Sequence, residues 1–363
     1  MRKAILAAAC LALSGAPALA QDVVLGAVLP LSGASATLGD DQRRGIELAV
    51  DQINEKGGVL GGQKLRVIVE DSGGRAPSAL DAAKKLVTVD NVPVVIGEYS
   101  SGITIPVGQY LVQEGRVHLN IGSSSGKIRD LGEGSFSLIG LDNVSSGFAA
   151  QDVIDNNWKK AAVIVPNNAY GQGVADEFQK AFTALGGEVV STVLYTEGQT
   201  TYRRELQQME RGEPDVYVYS AYGKEAATVN REAYELGLTS TPWYAIYLSM
   251  CTSDADPQFV QGQYGLDLNY VGPDGAAYEA AYKAKYNEPF KTSFNGYGYD
   301  AVMMAAAAID KAGSTEPKAI AAALKEIGNG YKGATGDITF DADRQRSKQP
   351  YLKLKIADGT QPR

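Results

Sequence analysis

Short apolar runs rich in β-branched residues alternate with longer amphipathic stretches over the first part of the chain. The short runs predict strands at residues 23–29, 65–69, 92–96 and 117–119, and the amphipathic stretches predict helices at 40–56, 76–88 and 104–114. Near-continuous apolar strands separated by helices are typical of a parallel sheet that is covered on both faces. We therefore expect a doubly wound α/β sheet.

The same alternation restarts after Asp142. It predicts strands at 161–165, 189–195, 216–219 and 243–246, and helices at 145–157, 173–185, 202–211, 224–236, 301–311 and 317–327. A chain of 363 residues exceeds the core of one ordinary domain, and no Gly- and Pro-rich linker separates the two halves. We therefore predict two α/β lobes joined by short crossings.

The first twenty residues have the features of a secretory signal peptide: a basic start at Arg2-Lys3, an apolar stretch at 4–13 and small residues ending in Ala20. The apolar stretch is too short to span a bilayer as a helix, which needs about 20 residues. We predict cleavage after Ala20, release into the periplasm and no membrane insertion. Attachment of a lipid at Cys10 is disfavoured, because only a few apolar residues precede it.

Composition narrows the choice of partners and cofactors. The chain has a formal net charge of −8, and cleavage after Ala20 removes two basic residues to give −10. An acidic, evenly mixed surface argues against nucleic acid or anionic lipid as a partner. The mature chain keeps one cysteine, Cys251, and one histidine, His118, and it has neither a Walker loop nor a Gly-x-Gly-x-x-Gly motif. We therefore predict no internal disulfide, no metal site and no cofactor.

Three loops that follow predicted strands of the first lobe, at 29–40, 97–102 and 120–126, are rich in glycine and hydroxyl residues. Their candidate ligand-binding residues are Tyr99, Ser100, Ser101, Gly122, Ser123 and Ser124. Ligands of open parallel sheets bind beyond the carboxyl ends of the strands, where helix N-termini and hydroxyls hold an anion without a cationic side chain. We predict a site for a small carboxylate. The alternative is that the serines at 100 and 101 only cap the next helix.

Tyrosines cluster near two predicted strand ends in the second lobe. Those within 216–219 are predicted to pack in the core, whereas Tyr222 and Tyr247 lie at or past strand ends and are predicted to face the cleft. Glu98 and Glu225 lie beside cleft loops. We expect both to be solvated charges at the rim, although either could pair with an amine on a ligand.

Several further motifs are informative as an ordered set. They are Pro30-Leu31-Ser32-Gly33 with Gly39-Asp40, then Ala49-Val50-Asp51-Gln52-Ile53-Asn54 leading into Gly57-Gly58-Val59, then Asn168-Ala169-Tyr170-Gly171-Gln172-Gly173, and finally Tyr299-Asp300-Ala301. In this set and order, from about residue 23 to 340, the chain resembles the leucine/isoleucine/valine-binding proteins of branched-chain amino-acid ABC transporters.

The resemblance implies a type I periplasmic-binding fold, in which two doubly wound lobes are joined by three chain crossings. It implies that residues 21–141 and 271–343 form the first lobe, and that 142–270 and 344–363 form the second. It also implies capture of a ligand in the cleft by closure of the lobes.

The resemblance further implies roles for individual residues. Ser101 and Ser124 correspond to residues that hold the ligand carboxylate, and Gly122 corresponds to a residue whose carbonyl accepts the ligand ammonium. Tyr170 and Tyr222 correspond to second-lobe aromatic residues that close over the ligand.

The sequence departs from the family where an acidic residue pairs with the ligand ammonium, because Tyr247 stands there. A phenol is neutral near pH 7. The ligand is then either an amino acid whose ammonium meets Glu98 or Glu225, or a carboxylate, amide or urea-like molecule without an ammonium.

We therefore predict an extracytoplasmic solute-binding protein that acts as a monomer and delivers a small molecule to an ABC transporter permease. A sensory ligand-binding protein of the same fold is the first alternative. A serine hydrolase is disfavoured, because the chain has no Gly-x-Ser-x-Gly motif and His118 is the one histidine available as a base.

Overall fold

The first sheet is built from the N-terminal part of the chain. The computed structural model describes residues 21–268, 272–357 and 360–362, so the predicted signal peptide lies outside the described residues. The elements are β1 (Val23–Leu29), α1 (Ala36–Glu55), β2 (Leu65–Asp71), α2 (Ala76–Thr88), β3 (Val94–Gly97), α3 (Ser101–Gln113), β4 (Val117–Asn120), a 3₁₀ helix (Gly126–Leu131) and β5 (Ser135–Ser137). The five strands are parallel and lie in the order β2-β1-β3-β4-β5.

The second sheet begins after a single crossing. Its elements are α4 (Asp142–Asp155), β6 (Lys160–Pro166), α5 (Ala169–Ala184), β7 (Glu188–Tyr195), α6 (Arg203–Met209), β8 (Val216–Tyr219), α7 (Gly223–Glu235), a 3₁₀ helix (Leu238–Ser240), β9 (Trp243–Ile246), α8 (Leu248–Thr252), α9 (Pro257–Val260) and β10 (Tyr264–Leu268). These five strands are parallel in the order β10-β9-β8-β6-β7.

The remaining elements return to the first sheet and then to the second. They are α10 (Gly272–Tyr286), α11 (Asn295–Ala312), α12 (Pro317–Ile327), β11 (Asn329–Gly333), β12 (Gly336–Thr339), β13 (Tyr351–Ile356) and β14 (Thr360–Pro362). Helices α10 and α11 pack on α1, and α12 packs on β4. Strand β13 pairs antiparallel with β10, and β14 pairs antiparallel with β13. We call the first sheet with α10–α12 and the β11–β12 hairpin the first lobe, and the rest the second lobe.

The predicted architecture of two doubly wound α/β lobes is confirmed, and the sheets show that the chain passes between them three times. The antiparallel edge formed by β13 and β14 was not predicted from the sequence. The exact lobe boundaries stay a prediction, and the one at 270/271 falls outside the described residues.

Several helices begin earlier than the apolar periodicity predicted, and for two of them this difference matters for the cleft. Helix α3 begins at Ser101 instead of residue 104, and α5 begins at Ala169 instead of residue 173. The side chain of Asn168 caps α5 by accepting from the N–H groups of Tyr170 and Gly171. First turns rich in Gly, Ser and Tyr lack the apolar spacing of the later turns. Ser101 and Tyr170 therefore lie in first turns that face the cleft.

The core runs through both lobes. Strands β3, β4, β8 and β9 are buried along their whole length, as expected for the central strands of sheets that are covered on both faces. His118 is fully buried in β4 and bonds Ser135 and the carbonyl of Gly97. Along the part of the chain that the structure describes, no helix is long and apolar enough to cross a membrane.

Candidate functional site

A small, nearly closed cavity lies between the two lobes, with a volume of about 10 Å³. Its wall is formed by Tyr99, Ser101, Gly122, Ser124, Tyr170, Tyr222, Tyr247, Met250 and Phe294. A volume of this size holds about one water molecule, so the lobes must separate to admit a ligand. Seven of its nine residues are candidates from the sequence.

The first-lobe wall presents the N-terminus of α3. Ser101 is the first residue of this helix and is only 1% exposed. Its hydroxyl oxygen accepts a hydrogen bond from the N–H of Ser125 at 3.2 Å, which leaves its hydrogen free for a ligand. The first backbone N–H groups of a helix have no partner within the helix and carry the positive end of its dipole. This wall is thus suited to an anion.

Two predicted site residues, Ser100 and Ser123, do not line the cavity. The hydroxyl of Ser123 lies within 2.9 Å of the carbonyl oxygen of Tyr99 and 2.6 Å of the hydroxyl of Thr104, which turns it into the first lobe. Ser100 is the N-cap residue of α3, and its N–H donates to Glu98 Oε2 at 2.8 Å. Both serines hold the loops that carry the wall residues.

Gly122 and Tyr99 form a close pair in the first-lobe wall. A Cβ atom at residue 122 would lie 2.9 Å from Cδ2 and 3.1 Å from Cα of Tyr99, so only glycine allows this approach. The Tyr99 hydroxyl is buried and has no hydrogen-bond partner among the described residues. A buried polar atom of this kind in a cavity wall marks a place for a polar atom of a ligand.

The second-lobe wall is aromatic. Tyr170 lies in the first turn of α5 with its hydroxyl 2.6 Å from Ser220 Oγ. Tyr222 is the N-cap residue of α7. Tyr247, with a left-handed φ of 66°, precedes α8, and its hydroxyl lies 3.3 Å from that of Tyr351. Burial raises the pKa of these cavity phenols, so all are neutral at pH 7.

The rings of the cavity form one chain of contacts that crosses between the lobes. Centroid distances are 5.7 Å for Tyr170–Tyr222, 6.0 Å for Tyr222–Tyr99, 5.2 Å for Tyr99–Phe294 and 5.3 Å for Phe294–Tyr247. Phe294 and Met250 were not selected from the sequence. Phe294 immediately precedes α11 and follows no predicted strand, whereas Met250 lies in a helix of five residues shortly after the predicted strand 243–246 and carries no polar group.

Neither acidic residue that the sequence offered as a partner for an ammonium lines the cavity. Glu98 is fully buried and binds Ser72 at 2.7 Å, and burial raises its pKa to about 7. Glu225 is 7% exposed and accepts from the N–H of Gly198, and burial raises its pKa to about 7 as well. The expectation that both are solvated rim charges is wrong, because polar loop atoms enclose them.

One carboxyl group does lie directly behind the wall. Asp142, the first residue of α4, is 1% exposed, and its Oδ1 lies 2.6 Å from Ser124 Oγ. Burial raises its pKa to about 8. Asp142 was not selected from the sequence, because it lies at the first crossing and follows no predicted strand.

The lobes touch beside the cavity. Thr37 of α1 donates to Asp254 of the second lobe at 2.7 Å, and the N–H of Lys224 donates to the carbonyl of Ala34 at 3.2 Å. Together with the ring contacts, these bonds describe a closed arrangement of the two lobes around the cavity.

The residues that carry most enzyme chemistry lie elsewhere. Cys251 is buried and unpaired behind the second-lobe wall, and burial raises the pKa of its thiol to about 12. Burial lowers the pKa of His118 to about 4. Within residues 21–268, 272–357 and 360–362, no group of three or more His, Cys, Asp or Glu side chains is arranged to hold a metal ion.

Comparison with known families agrees with this fold and cleft. Residues 22–361 match the sequence model of the periplasmic binding protein family, so the chain belongs to that family. It is 31% identical over 337 residues to an amino acid binding protein of Pseudomonas aeruginosa, covering 89% of this chain and 88% of the relative. It is 29% identical over 362 residues to a Leu/Ile/Val-binding protein of Rhizobium johnstonii, covering 93% and 94%. The resemblance inferred from the motifs is confirmed.

Solved structures share the fold. A branched-chain amino acid transporter substrate-binding protein from Streptococcus pneumoniae, in complex with isoleucine, superposes with a TM-score of 0.84 at 23% identity, covering 94% of this chain and all of that one. A solute-binding protein of an ABC transporter from R. palustris, in complex with benzoate, superposes with a TM-score of 0.84 at 20% identity, covering 94% and 95%.

Proposed function

We propose that this protein captures a small carboxylate between its lobes and presents the closed form to the permease of an ABC importer. Family membership supports the role of solute-binding protein. The cavity between two contacting lobes supports capture by closure, in which a first-lobe anion site is covered by second-lobe aromatic side chains.

The carboxylate would bind at the N-terminus of α3. Ser101 and Ser124 supply hydroxyl groups there, and the helix supplies backbone N–H groups and the positive end of its dipole. None of the nine wall residues carries a cationic side chain. Hydrogen bonds from neutral donors would therefore hold the anion.

The rest of the ligand is proposed to lack an ammonium group. The observation that carries this choice is that the nine wall residues include no carboxylate. Tyr247, which by the resemblance corresponds to the acidic residue of the family, is one of the nine. Burying an ammonium without an anionic partner costs several kcal/mol. The aromatic wall suits an aromatic or aliphatic acid, and the hydroxyl of Tyr99, which has no partner among the described residues, is available to a polar end.

A branched-chain amino acid is the second candidate ligand. The names of the curated relatives and the isoleucine complex of the structural neighbour favour it. The benzoate complex of another neighbour favours the first candidate. An amino acid would need a carboxylate to reach the cavity, and Glu98 and Glu225 are both engaged by loop atoms outside its wall.

The cellular setting follows from the same proposal. Export with cleavage after Ala20 would place the protein in the periplasm as a monomer, with a permease as its partner and without catalytic activity. Mass spectrometry of protein from its native compartment is expected to find a chain that starts at Gln21 and carries no lipid. A lipid-modified N-terminus at Cys10 would contradict the proposed route of export.

Thermal-shift screening of the purified mature protein tests the proposed function. The panel contains amino acids, aromatic and aliphatic acids, short amides and ureas. A ligand at 100 times its Kd stabilises the folded state by about 2.7 kcal/mol, which raises the melting temperature by several degrees. We expect the shift with carboxylates. Shifts confined to amides or ureas would contradict the carboxylate site, and turnover of the panel amides would contradict a purely binding role.

A further inference from the structure

Ser124 and Asp142 are joined by two hydrogen bonds. The N–H of Asp142 donates to the carbonyl of Ser124 at 2.6 Å, and the two side chains meet at 2.6 Å between Oγ and Oδ1. Ser124 belongs to the first-lobe wall of the cavity, whereas Asp142 begins α4, which packs on α5 of the second lobe. The pair therefore lies at the first crossing between the lobes.

The surroundings of Asp142 do little to stabilise an ionised carboxylate. Its Oδ2 is buried and has no hydrogen-bond partner among the described residues, and none of the ion pairs found there includes it. Position 173 on α5 is glycine, and a Cβ there would lie 2.2 Å from Oδ2. The carboxyl group is thus enclosed between the wall of the cavity and a helix backbone.

The charged and titratable groups that face this carboxyl group come from three sides. A second, surface cleft, which we call the neighbouring cleft, is lined by Asp142, by the 3₁₀ helix at Gly126–Leu131 and by α5. It places cations from this 3₁₀ helix and mixed charges from α5 near the carboxyl group, and two cavity phenols face it from the second lobe. These groups are Lys127, Arg129, Asp176, Glu177, Lys180, Tyr222 and Tyr247. The one whose charge acts on Asp142 most directly is Glu177, which disfavours a second negative charge.

Burial decides the protonation state. It raises the pKa of Asp142 to about 8, while the bond to Ser124 lowers it and Glu177 adds to the rise. The N-terminus of α4 favours the ionised form, but a helix terminus changes a pKa by less than about one unit in most sites. Enclosure without a cationic partner therefore favours the neutral form of Asp142 near pH 7.

The protonation state of Asp142 determines which way the Ser124 hydroxyl points. An ionised carboxylate can only accept, so it would take the hydroxyl hydrogen and leave Ser124 Oγ facing the ligand with lone pairs. A neutral carboxyl group can donate to Ser124 Oγ, and the hydroxyl hydrogen then remains for the ligand. Only the second arrangement attracts a ligand carboxylate.

We propose that Asp142 is a positioning residue that donates its own hydrogen to Ser124 and so holds the Ser124 hydroxyl as a donor to the ligand carboxylate. The inference rests on the proposed function. It adds that the form of the protein that binds the ligand anion is the one in which the Asp142 side chain is protonated. Binding should weaken as the pH rises through the range in which Asp142 loses this hydrogen.

The test is calorimetric titration of benzoate and 4-methylpentanoate between pH 6.5 and 9.5. For the wild-type protein we expect a constant affinity up to about pH 8 and then a fall that approaches tenfold per pH unit, as linkage to one proton requires. Asp142→Ala should weaken binding at pH 7 by roughly tenfold or more, since Ser124 is no longer oriented. Asp142→Asn should restore affinity and remove the pH dependence, because its amide donates to Ser124 at every pH.

Asp176→Asn is the matched control, because it removes an exposed carboxylate from the neighbouring cleft and should leave the pH profile of the wild type unchanged. Melting temperatures of all variants would identify any failure to fold. A wild-type affinity that stays constant to pH 9.5, or an Asp142→Asn variant as weak as Asp142→Ala, would overturn the proposal.

A second measurement separates this inference from the proposed function. Carboxyl ¹³C NMR of the ligand-free protein, with the Asp142 signal assigned by its loss in Asp142→Asn, should show a protonated group at pH 7. An ionised Asp142 at pH 7, in a protein that binds benzoate or 4-methylpentanoate, would overturn the positioning role alone. Failure of the wild type to bind any carboxylate of the thermal-shift panel would instead overturn the proposed function, and this inference with it.

Discussion

Replacing Ser101 with alanine removes one hydroxyl group from the anion site and leaves the N-terminus of α3 in place. Among the described residues this hydroxyl makes one hydrogen bond, accepted from Ser125 at 3.2 Å, so its own hydrogen is available to the ligand. A hydrogen bond to a charged group is worth about 1.5–3 kcal/mol. We therefore expect Ser101→Ala to weaken carboxylate binding by roughly 10- to 150-fold.

The cost in stability should be smaller than the cost in affinity. The substitution leaves the N–H of Ser125 without its acceptor, and a neutral hydrogen bond of this kind contributes about 0.5–1.5 kcal/mol. Ser123→Ala is the matched control, because Ser123 is equally buried but its hydroxyl does not face the cavity. It makes hydrogen bonds to the carbonyl of Tyr99 and the hydroxyl of Thr104. The Ser123→Ala variant should lose about as much stability as Ser101→Ala, but its affinity for the ligand should change by less than about threefold, or under 0.7 kcal/mol.

Titration calorimetry at pH 7 with the carboxylate that binds the wild type, together with urea denaturation of both variants, measures the two quantities. The reasoning fails if Ser101→Ala binds as tightly as the wild type. It also fails if the two variants lose affinity equally, since the hydroxyl of residue 101 would then act only through the stability of the loops.

Three further predictions concern packing and protonation. Gly122→Ala places a Cβ 2.9 Å from Tyr99 and should destabilise the protein by about 1–3 kcal/mol, measured by urea denaturation. The pKa of His118 is about 4 in the folded protein and 6.5 in the unfolded chain. Its contribution to the free energy of unfolding is therefore complete above pH 6.5, and about 3 kcal/mol of it is lost as the pH falls to 4. The His118→Gln variant should lack this part of the pH dependence. Arg346→Met should lower the free energy of unfolding, measured by thermal denaturation, by at least about 3 kcal/mol, because buried carbonyl groups, including that of Thr335, lose their donor. A decrease below 1 kcal/mol would contradict this prediction.

The parts of the fold that could be predicted are those that bury continuous apolar surface. The strands at 216–219 and 243–246 and the helices at 76–88 and 317–327 match the structure residue for residue. The final strands β13 and β14 and the short helix α8 escaped prediction. Strand β13 is only partly buried and its sequence alternates with lysines, so it carries no continuous apolar run.

The candidate site divides in the same way. Ser101 and Tyr222 could be selected because they follow strands that end at the cleft, where the topology of parallel sheets places ligands. Phe294 could not be selected, because it comes to the cavity after a crossing of the chain. Nor could the sequence show that Glu98 turns away from the cleft, since that depends on the hydroxyl of Ser72 and the N–H of Ser100.

The most direct test of the account is paired calorimetry with leucine and its des-amino analogue, 4-methylpentanoate, at pH 7. The two molecules differ by one ammonium group, which the cavity wall meets with Tyr247 and no carboxylate. The unpaired ammonium should cost several kcal/mol, so we expect the analogue to bind and leucine to bind at least about 100-fold more weakly. Micromolar binding of leucine without binding of the analogue would contradict the account and require an acidic partner in the cleft.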